Sequence, residues 1–160
     1  GFLFQGSALY DSMSVRENLE FPLRRHTKKF GKIEDTTPLV MEALESVGLA
    51  NAINLMPNEL SGGMKRRIAL ARTLILKPKI ILYDEPTTGL DPITSKEIIL
   101  LMQSIQEKYN TSSIIITHDV DCAKAIANRM VLLIDGINYI EGTFDELNAS
   151  NDPKVQAFFK

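Results

Sequence analysis

The sequence has 160 residues, 44% of them hydrophobic and 24% charged, which is ordinary for one globular domain that can bury a core. Its formal net charge of −2 argues against a general nucleic-acid binder, because such proteins usually carry a basic excess. The single cysteine, Cys122, cannot form an internal disulfide, and no apolar run approaches the roughly 18 to 20 residues that cross a bilayer.

The chain opens at Gly1 in the middle of an apolar strand and without a start methionine, so we expect a fragment of a longer protein. The strand covers residues 2–4 and ends at Gln5. A sheet that lacks neighbouring strands exposes edges and apolar surface, so we also expect the chain to self-associate.

Two helices are predicted in the next 45 residues. Ser14 and Glu17 form a capping box for the first helix, which is expected to end near Pro22. The second opens at Thr37-Pro38 and stops at Gly48. A basic run lies between them and comprises Arg24, Arg25, His26, Lys28 and Lys29. We interpret it as a solvated loop, with a membrane-side or partner-facing patch as the alternative.

The middle of the chain combines a glycine-opened helix with an apolar strand. Ser61-Gly62-Gly63 precedes a helix over 64–76, whose polar side is predicted to carry Lys65, Arg66, Arg67 and Arg72. Residues 79–83 form a nearly continuous apolar strand, which predicts a strand covered on both faces. Asp84-Glu85 follows it directly.

Helices and strands alternate through the rest of the chain. Helices are predicted from Asp91-Pro92 to Tyr109, over 122–127 and from Asp152-Pro153, and strands over 113–116, 130–134 and 138–141. This alternation is typical of a parallel sheet with helices on its faces, so the sequence predicts an α/β fold.

The Asp84-Glu85 pair can support phosphate chemistry. Ligands of open α/β sheets lie at the carboxyl ends of strands, where this pair falls. Asp84 can hold Mg²⁺, which prefers hard oxygen ligands, and Glu85 can orient and polarise an attacking water. The alternative is a strand that simply ends in two solvated acids.

The Ser61-Gly62-Gly63 segment offers free backbone N–H groups at the positive end of a helix dipole, which makes it a candidate anion site. Glycine lets a phosphate approach the backbone closely. The alternative is an N-cap followed by a flexible glycine pair.

Two further polar residues follow apolar strands. His118 comes shortly after strand 113–116, as Glu85 follows its own strand, and neighbouring parallel strands would put both at one sheet edge. A histidine there can donate a hydrogen bond to a phosphoryl oxygen. Gln5 could reach a Mg²⁺-bound water or the nucleophile. The alternatives are a surface histidine and an ordinary loop glutamine.

The order of these elements resembles the nucleotide-binding subunit of ATP-binding cassette (ABC) transporters over essentially the whole chain. In that family's terms Gln5 matches the Q-loop and Ser61 to Gly63 the signature motif. Asp84 matches the Walker B aspartate and Glu85 the catalytic glutamate.

The resemblance extends to the remaining motifs and to the ligands. Gly89-Leu90-Asp91 matches the D-loop, and His118 the switch histidine that contacts the γ-phosphate. The resemblance implies ATP and Mg²⁺ as cofactors, with Asp84 and Gln5 serving Mg²⁺ through water. It makes the chain the C-terminal part of a P-loop NTPase (RecA-like) core with an inserted α-helical subdomain.

The resemblance also implies domains and partners. Residues 1–5 would be the end of a core strand and the Q-loop, 6–76 the helical subdomain and 77–160 the rest of the core. Two copies would pair head to tail, so that the signature helix start of one faces the γ-phosphate held by the other. A membrane permease would be the other partner, with no nucleic acid bound.

A narrower resemblance connects the chain with the ATPases of Mla-type phospholipid transporters, which serve the two membranes of Gram-negative bacteria. It rests on the segments 4–9, 15–19, 56–64 and 152–155, including Met64 where the wider family more often has glutamine. It implies a peripheral position on the cytoplasmic face of the bacterial inner membrane.

One family motif is absent from the 160 residues. The Walker A pattern G-x-x-x-x-G-K-[ST] fails at the only Gly-Lys pair, Gly31-Lys32, which has His26 five residues before the glycine and Ile33 after the lysine. Because the lysine and the backbone amides that hold the β- and γ-phosphates are missing, we expect this chain alone to hydrolyse ATP poorly or not at all.

Two other functions stay open at this point. The first is a non-transport ABC ATPase acting on DNA or ribosomes. Repair ATPases of that kind place long heptad coiled coils between the Q-loop and the signature motif, whereas the interval between Gln5 and Ser61 is short and has no sustained heptads. An inert module that docks on a membrane subunit would bind a permease without nucleotide.

Overall fold

The computed structural model describes residues 1–26 and 33–159. Lys28, Lys29 and the Gly31-Lys32 pair therefore lie outside the described residues. The chain divides into two compact units, Gly1–Ile116 and Thr117–Lys160. The domain boundaries after residues 5 and 76 stay predictions.

The first unit contains three strands and four α-helices among its described residues, with two short 3₁₀ turns. In chain order they are β1 (Phe2–Leu3), α1 (Val15–Arg25), α2 (Thr37–Ser46), the 3₁₀ turns Ala50–Ala52 and Pro57–Glu59, α3 (Gly62–Leu74), β2 (Ile80–Asp84), α4 (Pro92–Tyr109) and β3 (Ser112–Ile116). The predicted α/β fold is confirmed.

Helix α1 corrects the prediction that it ends near Pro22, because it continues to Arg25. Proline removes only its own backbone donor and leaves the amides after it free to bond. The next residue, Leu23, is buried, so the last turn of the helix is stabilised by packing. The predicted capping box of Ser14 and Glu17 is present.

The sheet of the first unit is parallel, in the order β1-β2-β3. Leu3 lies opposite Tyr83, and Asp84 lies opposite Ile116. The carboxyl ends of the three strands therefore share one edge, which is where the candidate site lies.

The prediction that strand 79–83 is covered on both faces is wrong. Ile81 and Tyr83 are buried, whereas Ile80 and Leu82 on the other face are 53% and 37% exposed. The same face carries Ile114 and Ile116 of β3, also exposed. The apolar run of β2 identifies a strand of a parallel sheet, but the described helices bury only alternate side chains.

We expect the 160-residue chain to self-associate through this exposed sheet face, because an apolar patch of several large side chains is a typical contact surface. Replacing Ile80 and Ile114 by lysine should shift the chain towards monomer in sedimentation or light scattering. Leu100→Lys, a change at an exposed position on α4, is the control and should leave the oligomer distribution unchanged. A monodisperse wild-type monomer would contradict this expectation.

The helices α1, α2 and α3 form an apolar core. Its fully buried members include Leu19, Leu44, Ile68 and Leu70. Each such side chain contributes about 1.5–3 kcal/mol when it leaves water. This packing holds α3, and hence the glycine segment at its start, in a fixed place.

The side chain of Asn18 on α1 is polar and fully buried. Asn18 Oδ1 accepts from the Tyr10 backbone N–H at 2.8 Å, and Nδ2 donates to the carbonyls of Tyr10, Met13 and Ser14 at 3.0–3.1 Å. The amide thus fixes the loop that connects the Gln5 region with α1.

Asn18→Ala should lower the free energy of unfolding by about 1–3 kcal/mol, because the Tyr10 backbone N–H and the Met13 carbonyl lose their hydrogen-bond partner in a partly buried place. The measurement is urea denaturation of the chain. Asn54→Ala, at an exposed position, is the matched control and should change stability by less than about 0.5 kcal/mol. Equal effects of the two substitutions would contradict the expectation.

The second unit contains α5 (Val120–Ile126), β4 (Met130–Ile134), β5 (Ile137–Gly142), α6 (Phe144–Asn148) and α7 (Pro153–Phe159). Strands β4 and β5 form an antiparallel hairpin. Asp135 and Gly136 at its turn both have positive φ, of 52° and 78°, as a tight hairpin turn requires. No helix in the described parts of the chain has the length and apolarity needed to span a bilayer.

Candidate functional site

Residues from all three strands of the parallel sheet meet at its carboxyl edge. The backbone N–H of Glu85 donates to the carbonyl of Ile116 at 2.9 Å, which continues the pairing of β2 with β3 by one residue. Gln5 follows β1 by two residues, as Glu85 follows Tyr83, the partner of Leu3. Gln5 is exposed. The structure therefore brings Gln5, Asp84 and Glu85 to the same sheet edge.

Glu85 has an unusual backbone. Its φ is 48°, in the left-handed region that costs an L-residue about 1–2 kcal/mol. The Thr88 hydroxyl donates to Glu85 Oε2 at 2.9 Å, and the Thr88 backbone N–H donates to the Glu85 carbonyl at 3.4 Å. The carboxylate is half-buried and held within a tight turn, as is typical where strain accompanies function.

The glycine segment opens α3 as predicted. Ser61 is exposed and is the N-cap, with its Oγ accepting from the Met64 backbone N–H at 3.2 Å. A Cβ placed on Gly63 would lie 2.6 Å from Thr94 Cγ2, so a glycine is what lets α3 approach the start of α4. Gly62 has more room, with Leu90 Cδ2 at 3.6 Å. The role of Ser61 to Gly63 in anion binding stays a prediction.

Asp91 caps α4, as its position before Pro92 predicts. Its Oδ1 accepts from the backbone N–H groups of Ile93 and Thr94, each at 3.0 Å, and its Oδ2 accepts from the Thr94 hydroxyl. These bonds, those to Thr94 foremost, lower the pKa of the Asp91 carboxyl. The cap thus fixes Thr94, the residue against which Gly63 packs.

His118 lies in the second unit, two residues beyond β3, and is exposed. The next residue, Asp119, is the N-cap of α5 and accepts from the Cys122 backbone N–H at 3.0 Å. The convergence of His118 with Glu85 stays a prediction.

The segment after Gln5 is held by α3. Ser7 and Ala8 have φ of 64° and 48°, two consecutive left-handed residues that are not glycine. The Arg72 guanidinium donates to the carbonyls of both, at 3.0 Å and 2.7 Å, and lies 5.8 Å from the Tyr10 ring centroid. This contact fixes an otherwise unfavourable backbone next to Gln5.

The prediction that Arg66 lies on the polar side of α3 is wrong, because its side chain is buried. It shares a helix face with Leu70 and Thr73, at spacings of four and seven residues, both of them buried. This spacing is the one signal in the sequence that Arg66 is buried, whereas the charge of arginine favours a position on the polar side of the helix. No sequence pattern indicates the hydrogen bonds that Thr88 makes to Glu85 or that Asn18 makes to the loop before α1.

The donor set at the sheet edge fits magnesium. Mg²⁺ is usually bound by one or two carboxylates together with substrate phosphates and water. Asp84 supplies a half-buried carboxylate and Gln5 an exposed amide oxygen. Among the described residues no cluster of three or more His, Cys, Asp or Glu could hold a metal.

The fold and this edge define a class of protein. A parallel α/β sheet that presents carboxylates at its carboxyl edge, beside a helix that a serine and two glycines open, is typical of nucleotide-binding proteins. The profile of the ABC transporter family matches residues 1–88, more than half of the chain. The chain belongs to the ABC transporter family.

Curated relatives match nearly the whole chain. The intermembrane phospholipid transport system ATP-binding protein MlaF of Haemophilus influenzae is 42% identical over 160 residues, and that of Escherichia coli 40% over 156. The probable ribonucleotide transport ATP-binding protein mkl of Mycobacterium leprae is 40% identical over 158 residues. These matches include 100%, 98% and 99% of this chain, which spans only 60%, 57% and 45% of the relatives' lengths.

Solved structures agree with the family. The dimeric structure of a post-hydrolysis state of an ATP-binding cassette bound to ADP and Pi superposes with a TM-score of 0.77 and is 33% identical. A dimeric bacterial ABC transporter cassette gives the same values. Each covers 90% of this chain, and this chain covers 62% of each.

Proposed function

We propose that this chain is part of the ATP-hydrolysing subunit of an ABC transporter that moves phospholipid. The observation that carries the proposal is the meeting of Gln5, Asp84 and Glu85 at one sheet edge, in the same compact unit as the exposed helix start at Ser61. The printed names of the two MlaF relatives support phospholipid as the cargo.

In this mechanism Glu85 orients the water by accepting a hydrogen bond from it. The water oxygen attacks the γ-phosphorus, the bond to the β–γ bridging oxygen breaks, and ADP leaves with that electron pair. The products are ADP, phosphate and one proton. Asp84 and Gln5 would hold Mg²⁺, which when bound neutralises charge on the phosphate oxygens.

The remaining predicted residues complete this proposal. His118 would donate a hydrogen bond to a γ-phosphate oxygen. Ser61, Gly62 and Gly63 would bind the γ-phosphate held by a second copy in a head-to-tail pair, with Asp91 beside them. The dimeric state of the two solved cassettes supports such pairing. A permease and a peripheral position at the cytoplasmic face of the bacterial inner membrane complete the assembly.

The test is ATP-dependent phospholipid transfer by the protein expressed from its complete reading frame and purified with its permease. We expect phosphate release that depends on Mg²⁺, and transfer of a fluorescent phospholipid between vesicles only when ATP is present. The 160-residue chain alone should release phosphate at background rate. ATP hydrolysis without phospholipid transfer would overturn the cargo but retain the enzyme.

A second cargo is favoured by one observation, the name of the mycobacterial relative, which refers to ribonucleotide transport. The same purified complex can be reconstituted with radiolabelled ribonucleotides inside vesicles. ATP-dependent ribonucleotide movement in the absence of phospholipid transfer would establish this alternative.

A further inference from the structure

The buried guanidinium of Arg66 connects two loops of the candidate site, the one after β1 that contains Gln5 and the one after β2 that contains Glu85 and Thr88. Arg66 lies in the second turn of α3 and is 4% exposed. Its Nη1 donates to the Phe4 carbonyl at 2.8 Å, and its Nη2 donates to the Thr88 carbonyl at 3.3 Å. Phe4 directly precedes Gln5, and Thr88 follows Glu85 by three residues. A single planar group therefore sets the separation of these two loops.

The surroundings of Arg66 are not those of a stabilising ion pair. No carboxylate in residues 1–26 or 33–159 pairs with it within salt-bridge distance, and its Nε has no hydrogen-bond partner there. Burial lowers the pKa of the guanidinium, and the charge of Asp84 partly opposes this. Burying an unpaired charge is unfavourable, and an apolar side chain could fill the same space. The placement of Arg66 therefore favours a role in geometry over one in stability.

Thr88 extends this connection to the carboxylate itself. Arg66 holds the Thr88 carbonyl, while the Thr88 hydroxyl donates to Glu85 Oε2 at 2.9 Å. The two contacts use different atoms of one residue. Arg66 fixes the backbone of Thr88, and the position of this backbone determines where the Thr88 hydroxyl lies. The hydroxyl in turn orients the Glu85 carboxylate.

We propose that Arg66 and Thr88 are positioning residues that set the Glu85 carboxylate relative to Gln5. The inference rests on the proposed function, in which Glu85 orients the attacking water. The guanidinium suits this task because its donors have a rigid planar arrangement, so the two carbonyls are held at a fixed distance. Arg66 lies on α3, so the same side chain connects the helix that Ser61 opens with both loops.

Thr88 offers a pair of substitutions that separates hydroxyl from shape. In the full-length protein Thr88→Val removes the hydroxyl and keeps the volume, whereas Thr88→Ser keeps the hydroxyl. We expect kcat to fall about tenfold or more in Thr88→Val, because small misplacements of a reacting group have effects of this size. ATP affinity should stay within about twofold, and Thr88→Ser should retain most of the wild-type kcat.

Arg66 has a matched neighbour on the same helix. Arg67 donates to the Val47 carbonyl at 3.2 Å and pairs with Glu97 at 2.8 Å, and neither of these bonds reaches the loops that Arg66 connects. Arg66→Met should lower kcat about tenfold or more, whereas Arg67→Met should change the melting temperature with kcat unaffected. Combining Arg66→Met with Thr88→Val should lower kcat by less than the product of the single effects, because both act on Glu85.

The outcomes separate this inference from the proposed function. Wild-type or faster hydrolysis by a folded Thr88→Val protein would overturn the inference, as would equal losses in Arg66→Met and Arg67→Met or a Thr88→Ser protein as slow as Thr88→Val. If the Glu85→Gln variant of the full-length protein released phosphate as fast as the wild type, the function on which the inference rests would instead be overturned.

Discussion

Replacing Glu85 by glutamine should lower phosphate release by the full-length protein about 100-fold or more, which is the size of the contribution that a positioned general base makes. Glutamine has nearly the same shape as glutamate and keeps an oxygen that can accept from the Thr88 hydroxyl. The substitution therefore removes the charge that polarises water in the proposed mechanism, while leaving the turn intact. The measurement is steady-state phosphate release together with ATP affinity, which should stay within about threefold.

The control for Glu85→Gln is Glu141→Gln. Glu141 lies on β5 and pairs with Arg129 at 2.7 Å, far along the chain from the strand ends of the first unit. Glu141→Gln removes the same charge as Glu85→Gln but at a place outside the candidate site, so ATP hydrolysis should be unchanged. A Glu85→Gln protein with more than about a third of wild-type activity would show that Glu85 is not the residue that activates water.

Gly63→Ala is the second substitution with a large expected effect. The new methyl group would lie 2.6 Å from Thr94 Cγ2, closer than real Cβ contacts, so either the Thr94 side chain must leave its bond to Asp91 or the two helices must move apart. Forced packing of this kind destabilises by about 1–3 kcal/mol, despite the helix propensity gained with alanine. Urea denaturation of the chain measures this loss.

Two further variants test the steric reason for that loss. Thr94→Ser removes the clashing methyl but keeps the hydroxyl that donates to Asp91, so it should restore most of the stability of Gly63→Ala. Gly62→Ala meets Leu90 Cδ2 at an ordinary 3.6 Å and should be neutral or slightly stabilising. If the Gly62 and Gly63 variants lost equal stability, close approach of α3 to α4 would not be the cause.

The order of elements was predictable from sequence because each has a local signature. The capping box at Ser14 and the Asp91-Pro92 helix start depend on neighbouring residues, and both are present. Gln5 and Asp84-Glu85 each follow an apolar strand, so the sequence places them at strand ends. The parallel pairing of β1 with β2, in which Leu3 lies opposite Tyr83, brings these two strand ends to the same edge of the sheet.

What could not be predicted depends on partners distant in sequence. The sequence predicts Arg66 on the polar side of α3 because the two acceptors that bury it, the carbonyls of Phe4 and Thr88, lie 62 and 22 residues away and leave no local pattern. The exposed face of β2 is not predictable from sequence, because an apolar strand has the same sequence whether its second face is covered or open. Asn18 bonds to irregular loop backbone, which leaves no periodic pattern.

The positive φ of Glu85 implies a conflict between folding and activity. Glycine adopts that conformation without steric penalty, so Glu85→Gly should relax the turn, although its greater freedom when unfolded opposes part of the gain. The residue that fits this backbone conformation with least strain is thus glycine, which has no side chain to act on water. Under the proposed function, searches for thermostable variants should therefore exclude position 85, since a gain in stability there would come with loss of ATP hydrolysis.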